Sequence, residues 1–131
     1  MPANSGALEA IRSDQLSPPV GPFSLAVRSN GFILFSGQVG LDPATGKLVD
    51  GGAEAEARQL FANLATLLAV AGKTFGDVVK ASVFLTDIAD FAAVNAIYAE
   101  HFQEPYPART TIGVAALPLG ARIEIDLMVK E

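Results

Sequence analysis

Arg109 stands in Pro107-Ala108-Arg109-Thr110-Thr111, just ahead of the apolar run Ile112 to Leu117. A guanidinium cannot shed its charge, so in a strand that reads as buried it demands an anionic partner or an anionic ligand. Its planar fork matches a carboxylate bidentately. Two uses are open, an ion pair between subunits and recognition of a ligand's carboxylate. Glu124 and Asp126 are i and i+2 on a strand and so share one face. They suit acid–base work, or a solvated edge with Arg122 and Lys130 as partners. Ser36-Gly37-Gln38 reads as a strand end with its turn, and Asn95 as a polar helix position.

Other chemistries are poorly supplied. The chain has no cysteine and one histidine, His101, which leaves no thiol nucleophile, no zinc–thiolate site and little for a transition metal. His101 falls late on a helix, where a surface or capping role is the default. Gly40 to Lys47 is a poor phosphate loop, because five residues separate Gly40 from Gly46 and Leu48 stands where a hydroxyl would hold magnesium. We expect neither metal nor cofactor.

Composition bounds the partners. At 131 residues the sequence reads as one domain, 1–131, large enough for a real core. The net charge of −5 and the nine scattered Lys and Arg argue against nucleic acid as partner. No apolar stretch reaches the roughly 18 residues of a membrane span. The N-terminus lacks a basic region followed by an apolar one, so cytoplasm is the default location. Half of the residues are apolar and only 18% charged. Such a surplus is best hidden between subunits, and an oligomer is expected.

The elements that must position these residues follow from periodicity. Residues 7–12 read as a short edge strand, 23–27 and 32–36 as strands around the Asn30-Gly31 hairpin signal, and 42–46 as a turn. Ala57, Leu60, Phe61, Leu64, Leu67, Leu68 and Ala71 form one helical stripe over 53–71, with Gly72 as its stop. Residues 77–86 alternate as a strand. A second helix begins near Asp90 as N-cap and carries Phe91, Val94, Tyr98 and Phe102 on one face. Strands over 108–116 and 122–130 complete an α+β order of one mixed sheet of about six strands with two helices packed on one face. Alternation assigns Arg109, Thr111, Gly113 and Ala115 to the uncovered face, which then needs another cover.

A series of motifs gives a more specific reading. Gly21-Pro22-Phe23-Ser24, Phe35-Ser36-Gly37-Gln38, Leu41-Asp42-Pro43-x-Thr45-Gly46, Asn63 and Asp77-Val78-Val79-Lys80 occur in order. Val83-Phe84-Leu85-x-Asp87, Asp90-Phe91-x-x-Val94-Asn95-x-x-Tyr98, Pro107-Ala108-Arg109, Leu117-Pro118 and Ile123-Glu124-Ile125 follow. Together they resemble the RidA/YjgF family of reactive-imine deaminases over essentially the whole chain. The resemblance implies a chorismate-mutase-like fold and a homotrimer with sites between subunits. It also implies hydrolysis of 2-imino acids (2-iminobutanoate, 2-iminopropanoate) to 2-keto acids and ammonia.

Under that resemblance Arg109 binds the substrate carboxylate and Glu124 sits near the attacking water. Phe23, Ser36, Gly37, Asn95 and Thr111 line the substrate. Phe23 replaces the tyrosine of many members, so the aromatic wall survives without its hydroxyl. Leu25 replaces a frequent glutamine and Thr111 an occasional cysteine. Two further readings are carried alongside: a non-catalytic trimer that senses small carboxylates or binds protein, and an endoribonuclease.

Overall fold

The computed structural model describes residues 8–131. Its strands are β1 (Glu9–Ile11), β2 (Ala26–Ser29), β3 (Phe32–Gln38), β4 (Leu41–Asp42), β5 (Lys47–Leu48), β6 (Val78–Leu85), β7 (Ala108–Gly113) and β8 (Ile123–Lys130). Helix α1 spans Gly52–Val70 and α2 spans Phe91–Ala99. Six strands form one sheet in the order β1-β2-β3-β8-β6-β7, and β4 pairs with β5 separately. Every pairing is antiparallel except β6 with β7, which α2 joins as a crossover.

Local chemistry sets the joints. Asn30 and Gly31 both take positive φ, as the tight turn between β2 and β3 requires. At the end of α1 the Gly72 N–H donates to Ala69 and the Lys73 N–H to Leu68, which satisfies two otherwise orphaned carbonyls. Glu56 is buried in α1, and its carboxylate accepts the Arg122 N–H at 2.8 Å. That bond pins the start of β8 to the helix.

The helices cover one face of the sheet. Ile33, Phe35, Ala81, Val83, Leu85, Ile123, Ile125, Leu127 and Val129 meet Leu60, Phe61, Leu64, Leu67 and Leu68 of α1 and Val94 and Ile97 of α2 in a continuous core. The opposite face leaves Phe32, Leu34, Ile112 and Met128 substantially exposed.

Several sequence expectations are corrected. Arg109 is exposed on an edge strand, not buried in a central one. It pairs with buried Ala81, and Thr111 with buried Val83, so both lie on the helix-covered side. Thr110 and Ile112 occupy the open face instead. The error arose because alternation fixes which residues share a face but not which face meets the helices. Strand β7 stops at Gly113, so Ala115 lies beyond it. Residues 23–25 precede β2. The Asp90 side chain caps nothing; that of Asp87 accepts the Ala89 N–H at 2.9 Å and starts the preceding 3-10 turn. His101 follows α2, half-buried, its ring stacked on Phe61 at 4.4 Å. Burial there pushes its pKa below the usual histidine value.

Candidate functional site

Glu124 leaves β8 on the open face, between the buried Ile123 and Ile125. Across from it the β3–β8 register shifts between Phe35 and Gln38, a bulge that sets Ser36 and Gly37 out of regular pairing. Ser36 is committed to structure. Its hydroxyl donates to the Ser24 carbonyl at 2.6 Å and its N–H to the Leu25 carbonyl at 3.0 Å. These bonds hold the segment that carries Phe23. Gly37 lies directly against the Glu124 carboxylate, where an added Cβ would overlap it.

Phe23, Gly37 and Glu124 thus share one cleft of about 180 Å³, walled by Leu25, Val39 and Leu119. Gly37→Ala is expected to push the carboxylate aside and lower turnover by about 10²-fold, because misplacement near 1 Å costs that much. Steady-state kinetics alongside a melting curve checks this: loss of rate must come without comparable loss of stability.

Burial raises the pKa of Glu124 above the usual glutamate value, and the neighbouring Asp126 charge raises it further. A water-activating base must be ionised, so activity should fall as pH drops through this raised pKa. Asp126→Asn removes the coulombic cause. Its acid limb should therefore lie at lower pH than that of the parent. A pH–rate profile of kcat/KM reports the shift, and an unmoved or upward-moved limb would contradict the assignment.

Arg109 organises a second cluster. Its Nη1 donates to Asn95 Oδ1 at 2.8 Å. Its Cζ lies 4.6 Å from the Tyr98 ring centroid and 5.6 Å from that of Phe91. The Thr111 Oγ1, two residues along the same face, is buried without a hydrogen-bond partner. Periodicity placed Phe91 and Tyr98 only in an apolar stripe. The sign of more was their spacing with Asn95, at i, i+4 and i+7.

The two clusters do not meet within one chain. Arg109 pairs with Ala81 and Glu124 with Phe84, on either side of β6 and on opposite faces. Two strand spacings and three residues of rise put their Cα atoms roughly 14 Å apart. One cluster therefore holds Arg109, Asn95 and Thr111, and the other Phe23, Gly37 and Glu124. Among the described residues no group of three or more His, Cys, Asp or Glu is placed to hold a metal ion. No described helix is long and apolar enough to cross a membrane.

The class is an α+β protein with one mixed six-stranded sheet and two helices on one face, carrying an exposed arginine against α2 and a half-buried carboxylate in a small cleft. The chain belongs to the Endoribonuclease L-PSP family, the RidA/YjgF grouping, whose family model matches residues 14–131. A goat (Capra hircus) protein named 2-iminobutanoate/2-iminopropanoate deaminase is 50% identical over 107 residues, 82% of this chain and 78% of its own length. The solved RidA of an Antarctic Psychrobacter species superposes with a TM-score of 0.89 at 40% identity, covering 94% of this chain and 99% of that one. E. coli TdcF, solved with bound serine, gives 0.85 at 31% identity, covering 94% and 98%.

Proposed function

We propose that this chain is an imine deaminase. It hydrolyses reactive 2-imino acids such as 2-iminobutanoate and 2-iminopropanoate to 2-keto acids and ammonia. The observation that carries the reading is the pairing of a guanidinium held without a neutralising carboxylate and a half-buried glutamate whose pKa is raised. The first suits the substrate's carboxylate, and the second suits a water and its protons. The deaminase name of the goat relative supports the reaction, and the serine in TdcF supports a small amino-acid-like ligand.

Arg109 grips the carboxylate bidentately and so fixes the adjoining imine carbon. Glu124 takes a proton from water as the oxygen attacks that carbon. The C=N bond becomes single in the resulting carbinolamine, and Glu124 returns the proton toward nitrogen. Glu124 then takes the carbinolamine hydroxyl proton and delivers it to nitrogen as the C–N bond breaks and the C=O bond forms, so that ammonia and the 2-keto acid leave. Imines hydrolyse readily in water, so clamp and base suffice without further chemistry.

Because the two clusters lie on opposite faces of one sheet, each complete site takes Arg109 from one protomer and Glu124 from another. We infer a homotrimer, in the cytoplasm, with its open, apolar sheet faces turned inward and sites between neighbours. Burial of Phe32, Leu34, Ile112 and Met128 then supplies the association energy, about 25 cal/mol per Å² of apolar surface. An in situ assay tests the function. A pyridoxal-phosphate dehydratase generates 2-iminobutanoate, and 2-ketobutanoate release is followed with and without this protein. A chain that binds 2-ketobutanoate but leaves the rate unchanged is a sensor and not an enzyme. The family's endoribonuclease description is tested in parallel with an RNA substrate. No cleavage is expected, given the net charge of −5.

A further inference from the structure

The stripe Phe91, Asn95 and Tyr98 on α2 surrounds a residue that the fold otherwise leaves loose. Arg109 sits on the edge strand β7, exposed, with no further strand outside it. None of the ion pairs among the described residues involves it. Asn95 Oδ1 is its hydrogen-bond partner, and the guanidinium carries five N–H donors, so most of the fork is unspent. Tyr98 lies beneath it, 6% exposed, and its ring is itself fixed by Phe102 at 4.4 Å and by Phe61 edge-on at 6.1 Å. Phe91 is more open and flanks the guanidinium at 5.6 Å. The core thus fixes a ring, and the ring faces a cation.

We propose that Tyr98, aided by Phe91, is a positioning residue that sets the plane of the Arg109 guanidinium so that its free edge meets the substrate carboxylate. The inference rests on the deaminase reading and extends it to a residue that touches neither substrate nor water. Its physical sense lies in what the cradle omits. A glutamate or aspartate at this spot would orient Arg109 equally well but would neutralise it. A ring face and an amide oxygen orient it and leave its whole charge for an incoming anion. The Tyr98 hydroxyl is buried and has no hydrogen-bond partner among the described residues. The ring, and not the hydroxyl, is then the working part.

The test separates positioning from mere packing. Tyr98→Leu should raise the KM for 2-iminobutanoate about tenfold with kcat within about twofold, and weaken binding of 2-ketobutanoate, read by calorimetry, by the same factor. Tyr98→Phe keeps the ring and should stay within about twofold of the parent. In an Arg109→Met chain, Tyr98→Leu should cost nothing further, because no cation remains to orient. The proposal is overturned by a parental KM in Tyr98→Leu, by an equal loss in Tyr98→Phe, or by the same loss without the arginine. Should Tyr98→Leu fail to fold, Phe91→Leu decides, with a KM rise of about threefold expected and an unchanged KM overturning the cradle. A parent chain without turnover sinks the deaminase reading, while the 2-ketobutanoate titration still judges the cradle.

Discussion

Arg109→Ala is expected to lower kcat/KM for 2-iminobutanoate by about 10²- to 10³-fold, since it removes two charge-assisted hydrogen bonds to the substrate carboxylate at once. The fold should hardly notice. Arg109 is exposed on an edge strand, and its ties to the fold are one amide oxygen and two ring faces. The melting temperature should therefore stay close to that of the parent. Arg109→Lys should recover only part of the loss, because an ammonium is a point charge without the fork. Kinetics with dehydratase-generated substrate checks all three. If Arg109→Ala turns over imine at the parental rate, the clamp is wrong and the cradle around it has no purpose.

Glu124→Gln is the second large effect, with a fall in kcat of about 10²- to 10⁴-fold expected for loss of the acid–base group. The amide keeps the shape that fills the space over Gly37, so the cleft survives. Stability should move the other way. The folded-state pKa of Glu124 is raised, so its contribution to stability is full below the unfolded-state pKa and is lost as pH rises through the folded one. The glutamine variant should accordingly melt no lower than the parent at neutral pH, with the difference closing in acid. An inactive but no less stable protein is thus the expected result.

Mixing the two dead variants tests the geometry. If Arg109 and Glu124 of one site come from different protomers, co-refolded Arg109→Ala and Glu124→Gln chains in equal amounts should regain about a quarter of parental activity. If one chain supplies both groups, mixing restores nothing. The pairing of β6 with β7 and β8 favours the first outcome, since it sets the two residues on opposite faces.

Much of this was legible in the chain because short-range chemistry decides it. The 3.6-residue stripe of α1, the alternation of β8 and the Asn30-Gly31 turn each follow from neighbours a few residues apart, and the structure places all three where the pattern does. Motif order gave the family. The committed hydroxyl of Ser36 was not legible, because its acceptor, the Ser24 carbonyl, lies twelve residues earlier and comes alongside only when β2 pairs with β3. Nor was the Tyr98 platform, because an aromatic in an apolar stripe looks the same whether it packs only on the core or also carries a cation.

The sequence by itself determined which residue types bear chemistry: an arginine that must stay charged, a glutamate two residues from an aspartate, and no thiol. It also determined which side chains share a strand face, since that is a parity of two along the backbone. Only the tertiary structure decided which of those faces meets the helices, because parity has no sign until a second layer packs against it. That choice put Arg109 with α2 and Glu124 on the open side. It thereby set the residues of one apparent site in two clusters on opposite faces of the sheet.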